Sequence, residues 1–335
     1  MASQPITTLI VTNNPERASY RQRIGVYLRR LDAAGIACEL AVLPRGPWAR
    51  RALLMRAAQF DAVLLHKKKL NPWDAFWLGR YKRRLIYTYD DAIWVSPRRP
   101  ERFSPSHYYP FRRTVRLADR VIAGSEYLAD QARPFNADVH VLPLGLEVAR
   151  YNPPVTRPDD GRVRLVWIGS AATLDYLRAL APCLEEIGRR HPQAVLRIIG
   201  DAFFDLDDLP VEKVMWNRDG RYTALAECDI GLAPLPDNPF TRGKCSFKVL
   251  EYSAAGLAVV ASPVGTNVEH ILPDETGHLA DGPEVWVERL DALIRDESLR
   301  HRLGQRGREH AQRYDVSVIG GRLAELIRGC VESDA

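Results

Sequence analysis

The chain has 335 residues, 46% hydrophobic and 27% charged, with a formal net charge of +5. That length accommodates two domains, and the composition is that of an ordinary soluble globular protein. No apolar run approaches the roughly 18 residues of a membrane-spanning helix, and five scattered cysteines with no Cys-x-x-Cys pair argue for a reduced compartment and against a disulfide framework or zinc site.

The N-terminus runs directly into a strand-like segment, without the basic region and small-residue cleavage site of a signal peptide. Strand-like runs follow at 7–14, 38–43, 62–66, 85–91, 120–125 and 139–145. Helical patterns lie between most of them, including 16–34 and 72–81. Near-continuous apolar strands separated by helices predict a parallel sheet covered on both faces. The segment 151–161, "YNPPVTRPDDG", breaks this periodicity and is read as an interdomain linker. The rhythm resumes with strands at 163–170, 194–201, 212–216, 229–235 and 257–262. The expected fold is α/β, with two doubly wound, Rossmann-like parallel-sheet domains facing a cleft. An N-terminal domain is placed at 1–155, a second domain at 156–315, and a C-terminal helix at 316–335 packing back on the first domain.

Charge is divided unevenly. Residues 1–155 carry 25 Lys and Arg against 13 Asp and Glu, a net of +12, which leaves −7 for the remainder. Clusters at 66–70, 80–84, 97–102 and 110–116 concentrate it. One cluster alone reads as a solvated helix face; four in one half point to an anionic partner such as lipid headgroups, a phosphorylated acceptor or nucleic acid.

Ligands of open parallel sheets bind beyond the carboxyl ends of the strands. In the first half, Asp90 and Asp91 end a strand and are candidates to bind sugar or acceptor hydroxyls or to act as a base. Arg21 and Arg23, after the first strand, are candidates for phosphate or acceptor contact. His66 and His107 are isolated and are read as packed or surface residues. In the second half, Gly169 and Ser170 end a strand and Thr173 opens the next helix, where unpaired N–H groups favour an anion. The stretch 243–267, "GKCSFKVLEYSAAGLAVVASPVGTN", is more informative. Ser246 is a candidate N-cap for a helix over 247–255, and Gly256 stops that helix with a left-handed C-cap. Phe247, Leu250 and Ala254 share the face expected to meet the sheet. Lys244 and Lys248 supply positive charge for a diphosphate, and Glu251 is placed to accept bonds from vicinal hydroxyls. Thr266 and Asn267 lie in a second strand-end loop.

The stretch 229–269, together with "VWIGSAATLDYL", "LRIIGD", "LIYTYDDAIW" and "RVIAGSEYLADQA", resembles GT-B glycosyltransferases of family 4, the glycosyl transferases group 1. The resemblance implies a nucleotide-sugar donor and retaining transfer to a saccharide or lipid-linked acceptor, with no dedicated metal and no other cofactor. It matches Glu251 to the family's ribose-binding glutamate, Gly169 and Ser170 to its diphosphate loop, and the surroundings of Trp216 to its base site. Three departures stand out. Gly243 occupies the position of the family's other glutamate, the loop after Gly169 has no basic pair, and "NNPERASYRQRI" replaces a Gly-rich loop. The expected setting is cell-surface polysaccharide, lipopolysaccharide or glycolipid synthesis in the cytoplasm, peripheral to the membrane and without nucleic acid. The alternatives are a non-catalytic GT-B partner subunit, a nucleotide-sugar epimerase and a basic nucleic-acid-binding protein.

Overall fold

A computed structural model describes residues 5–153 and 160–333. The chain divides into two compact units. The first comprises residues 1–146, 238–245 and 316–335; the second comprises 147–237 and 246–315. The division falls at 146/147, where 155/156 was expected, and most of the proposed linker, residues 154–159, lies outside the described residues. The short segment 238–245 joins the first unit, which no feature of its sequence suggests.

In the first unit six strands form one parallel sheet in the order β2-β1-β3-β4-β5-β6. They are β1 (Ile6–Thr12), β2 (Ile36–Val42), β3 (Ala62–His66), β4 (Arg84–Tyr89), β5 (Arg120–Ala123) and β6 (Val139–Val141). Helices α1 (Ala18–Arg23), α2 (Leu28–Ala33), α3 (Pro47–Met55), α4 (Pro72–Tyr81), α5 (Pro105–Leu117) and α6 (Glu126–Ala132) connect them. The single helix expected over 16–34 is two, because Ile24 leaves helical geometry at φ −135° and a 3-10 turn over Gly25–Tyr27 follows. β3 and β4 are buried nearly throughout, as a strand covered on both faces must be.

The second unit has the sheet order β12-β11-β10-β7-β8-β9, again all parallel. Its strands are β7 (Val163–Ile168), β8 (Ala194–Gly200), β9 (Val211–Met215), β10 (Ile230–Ala233), β11 (Ala258–Ala261) and β12 (His278–Leu279). Its helices are α7 (Ala171–Arg178), α8 (Ala181–Arg190), α9 (Gly220–Ala226), α10 (Phe247–Ala255), α11 (Asn267–His270), α12 (Pro283–Arg295) and α13 (Glu297–Ala311). Read from β9, the strand order is the doubly wound 3-2-1-4-5-6 pattern, whose direction reverses between β7 and β10. Tyr252 of α10 bridges that reversal. Its hydroxyl accepts from the Ile168 N–H at 3.0 Å and donates to the Leu232 carbonyl at 3.2 Å.

The terminal helix α14 (Val316–Glu332) belongs to the first unit. Ile319, Leu323 and Ile327 enter the core with Ile10, Tyr27, Leu31 and Ile122. Arg120 fixes its far end by donating to the Leu326 carbonyl at 2.6 Å. The Rossmann-like character of both halves thus follows from apolar strands alternating with helices, and the C-terminal edge of each sheet is where chemistry-bearing side chains collect.

Candidate functional site

At the second unit's reversal point, Gly169 follows β7 and is backed by the Trp167 ring. A β-carbon there would overlap Trp167 and lie 3.1 Å from Lys248 Cε. Glycine is therefore required by close approach. Lys248, on the first turn of α10, lays its ammonium 5.1 Å from the centroid of the Trp167 ring. The structure thus brings Gly169 and Lys248 together. Ser170 is exposed and makes no side-chain cap, and the Thr173 hydroxyl donates to the Ser170 carbonyl at 3.2 Å. The start of α7, expected to face an anion, presents its Ala171 N–H to the Asp201 carboxylate at 2.6 Å.

Glu251 lies one turn into α10 and is buried. Its Oε1 accepts from the Tyr151 hydroxyl at 2.8 Å and from Arg221 Nε at 3.1 Å. Arg221 in turn rests 4.2 Å above the Tyr222 ring. Burial raises the Glu251 pKa, opposed by Arg221 and the Tyr151 hydrogen bond. Tyr151 and Arg221 are the two residues here that sequence reading missed. Trp216 follows β9, partly exposed, with its N–H bonded to the Gly200 carbonyl at 2.9 Å. Gly169, Lys248 and Trp216 therefore lie by the same sheet edge.

Three expectations change in detail. Ser246 stands where a cap would, but its backbone is left-handed, at φ 42° and ψ 41°, and its side chain caps nothing. Its buried Oγ has no hydrogen-bond partner among the described residues. This left-handed residue stands at the junction between the segment 238–245 and α10, in a backbone region that L residues rarely adopt. Phe247 is half-buried, whereas Leu250 and Ala254 are fully packed. Asn267 is a brace for the sheet rather than a projecting contact. Buried beside Thr266, it donates Nδ2 to the Ser262 carbonyl at 2.8 Å and to the Ala233 carbonyl at 3.4 Å, tying the ends of β10 and β11.

In the first unit the reversal lies between β1 and β3. The Thr12 hydroxyl and His66 Nδ1 meet across it at 3.1 Å, and Ser19 Oγ approaches His66 Nε2 at 3.3 Å. Burial and the neighbouring Lys67 and Arg23 charges pull the His66 pKa down to about 3, so the ring is neutral. Next along the chain, Lys67 adopts a left-handed backbone at φ 52°. Its ammonium sits 3.0 Å from Asp90 Oδ1 and also pairs with Asp91. Burial disfavours that charge, but the two carboxylates outweigh it and the Lys67 pKa rises above its ordinary value. The Asp90 side chain is 6% exposed and that of Asp91 30%, so Asp91 is the one open to a ligand. Lys67 was read only as part of the basic cluster at 66–70; it is the counter-ion of the candidate catalytic pair.

Lys244, expected with the second half's phosphate contacts, lies in the first unit, 3.7 Å from Asp91 Oδ1. Gly243 explains the placement. A β-carbon on it would fall 2.6 Å from Ala92 Cβ and 2.8 Å from Ala92 N, so the segment presses directly on the turn after Asp91. Overpacking of this kind costs about 1–3 kcal/mol. Gly243→Ala is expected to lower the melting temperature measurably, and Gly243→Glu to do so without tightening donor binding. An unchanged melting temperature for Gly243→Ala would refute the packing account.

Arg23, expected to reach phosphate, is buried. It donates from Nε to the Thr88 hydroxyl at 2.8 Å and from Nη2 to the Ile122 carbonyl at 3.1 Å, with a further bond to the Leu142 carbonyl. It joins the ends of β4, β5 and the segment after β6, because a buried guanidinium needs several acceptors. Arg21 bonds the Glu16 carbonyl on its own turn.

Comparison with known proteins follows the division into halves. The family model for Glycosyltransferase Family 4 matches residues 1–150, and that for Glycosyl transferases group 1 matches residues 162–296. The chain belongs with the family 4 glycosyltransferases. Among solved structures of this architecture, HepE of Anabaena in complex with UDP aligns with TM-score 0.70 and 17% identity, over 97% of this chain and 100% of that chain. Sucrose-phosphate synthase of Thermosynechococcus elongatus aligns with TM-score 0.72 and 15% identity, over 98% and 100%. These similarities place the GT-B fold. D-inositol 3-phosphate glycosyltransferase of Corynebacterium efficiens is 25% identical over 228 residues, 60% of this chain and 54% of that protein. Its counterpart in Xylanimonas cellulosilytica is 27% identical over 239 residues, with the same coverage. The chain spans about half the length of these curated relatives.

Proposed function

We propose that the protein transfers a sugar from a nucleoside-diphosphate donor to a hydroxyl of a saccharide or lipid-linked acceptor, in the synthesis of a cell-surface polysaccharide, lipopolysaccharide or glycolipid. The observation that carries this reading is the edge of the second unit, where glycine-enforced backbone and Lys248 adjoin at the strand reversal while Glu251 is held in place by Tyr151 and Arg221. Such an edge suits a diphosphate beside a pentose. We propose that Gly169, Ser170, Thr173, Ser246, Phe247 and Lys248 meet the diphosphate or sugar, that Glu251 takes the ribose hydroxyls, and that Trp216 lies beside the base. Thr266 and Asn267 shape the neighbouring loop.

In the transfer, the bond from the anomeric carbon to the diphosphate oxygen breaks, a bond to the acceptor oxygen forms, and the acceptor hydroxyl gives its proton to the Asp91 carboxylate. Lys248 and backbone N–H groups offset the charge that develops on the leaving diphosphate, without a dedicated metal. Asp91 orients the acceptor hydroxyl, with Lys67 and Asp90 holding it; Lys244 keeps the same carboxylate from swinging away. Retention of anomeric configuration is proposed from family membership. That HepE was solved with UDP makes uridine donors the first to try.

The test is a thermal-shift and product-detection panel of UDP-, GDP-, ADP- and dTDP-sugars. One nucleotide class should raise the melting temperature and be consumed, slowly with water and faster with an acceptor extract. Conversion of the donor alone to a stereoisomer would favour an epimerase, and no response to any donor would contradict the reading.

A further inference from the structure

We propose that the face formed by α3 and α4 docks the protein on an anionic lipid bilayer. Three of the seven tryptophans, Trp48, Trp73 and Trp77, lie in these two short helices. Trp48 is 67% exposed, Phe76 63% and Trp73 38%, and Met55 is exposed nearby in sequence on α3. Soluble surfaces rarely carry so many large apolar groups together, and such patches mark interaction sites.

The rings pack on one another. Trp48 meets Trp73 with centroids 5.7 Å apart and planes at 87°. Trp73 meets Trp77 at 71°, and Phe76 meets Trp77 at 81°. The Arg51 guanidinium lies 4.2 Å from the Trp77 ring centroid, and Tyr81 stacks on the same ring at 15°. The rings pack edge to face as one partly exposed cluster, and amphipathic aromatic rings suit a headgroup boundary. Trp73 Nε1 donates to the Pro47 carbonyl at 3.3 Å, so the two helices hold the cluster as one body.

The surrounding sequence is basic. Residues 45–83 contain ten Lys and Arg but only two acids, Asp61 and Asp74. Both acids are already engaged. Asp74 is buried against Arg50 at 3.1 Å, and Asp61 accepts from Thr7 and pairs with Arg83 at 3.2 Å. Arg56, Lys67 and Lys82 pair with acids outside this stretch, whereas Arg45 and Arg80 are exposed. Aromatic side chains flanked by exposed arginine match an anionic headgroup layer, where apolar insertion and electrostatic attraction add. Among the described residues no helix is long and apolar enough to cross a membrane, so attachment of this kind is through a surface.

The proposal concerns the first unit alone and does not depend on donor binding, so each can fail without the other. The experiment is flotation of the full chain with vesicles of phosphatidylcholine, with and without about one third phosphatidylglycerol. The wild type should bind the anionic vesicles selectively, and added salt should weaken binding. Trp48→Ser/Phe76→Ser should lower the partition coefficient by about tenfold or more, and Arg45→Glu/Arg80→Glu should do likewise. Val318→Ser, an exposed apolar site on α14, should leave partitioning unchanged, and all variants should keep the wild-type melting temperature. Equal binding to neutral and anionic vesicles, or full binding by the aromatic double variant, would overturn the proposal. So would a finding that these substitutions abolish self-association or RNA binding while vesicle binding persists.

Discussion

Glu251→Gln is expected to weaken binding of the stabilising sugar nucleotide by about 10- to 100-fold, the loss of hydrogen bonds to a charged acceptor. The amide keeps the shape of the side chain and still accepts from Tyr151 and Arg221, so the fold persists while the charge that pairs with ribose hydroxyls is gone. Titration calorimetry with the nucleotide that gives the largest thermal shift measures the effect; equal affinities would remove Glu251 from the site. The same substitution has a pH signature in stability. The carboxyl's folded pKa is raised, chiefly by burial against the opposing pull of Arg221 and Tyr151. A raised value means that its favourable contribution is complete below the ordinary glutamate pKa and is lost as pH rises through the folded one. The variant lacks that loss. The stability of Glu251→Gln relative to wild type should therefore improve from about pH 4 toward neutrality, as chemical denaturation at several pH values would record.

Lys67→Met should be the most damaging single change in the first unit. It leaves Asp90 buried beside Asp91 with their shared counter-ion removed, a situation that costs about 3–5 kcal/mol. For a unit of this size that is a fall of roughly 6–20 °C in melting temperature. Adding Asp90→Asn should recover a substantial part of the loss, because it removes the stranded charge. Asp91→Asn is expected to behave differently. Asp91 is more open, so stability should change by less than about 1.5 kcal/mol while transfer falls by about 100-fold or more, within the range for a positioned acid–base group. Calorimetry on the four proteins, with initial rates for the Asp91 variant, separates the two roles. If Lys67→Met melts with the wild type, the ion-pair account of this corner fails.

Sequence pattern carried the architecture because strands buried on both faces must be continuously apolar, as in "AVLLH" and "AVVA", whose residues are fully buried in β3 and β11. Gly256 was legible for a similar reason: a left-handed residue at φ 76° that ends a helix is nearly always glycine. β12 was missed because two residues hold no period. The site was only partly legible. Glu251 could be found, since a lone carboxylate on an apolar helix is conspicuous, but Arg221 in "NRDGRYTAL" looks like any exposed arginine until the fold turns it onto Glu251 and Tyr222. Lys67 stood in a lysine run whose neighbours in sequence gave no hint of the two aspartates, which lie more than twenty residues away. Arg23 misled in the opposite direction: a helix rich in arginine conceals the single one that faces inward. The break after Cys245 depends on Gly243 touching Ala92 and Cys245 touching Gly124, contacts between distant residues that local pattern does not encode.

The most direct measurement is amide hydrogen exchange on the full chain, with and without a saturating concentration of the best-stabilising sugar nucleotide. The account predicts slowed exchange in peptides covering 168–174 and 245–252, with a smaller effect near 216–221 and little change on α3 and α4. Protection confined to other segments, with both principal peptides exchanging as in the free protein, would contradict it.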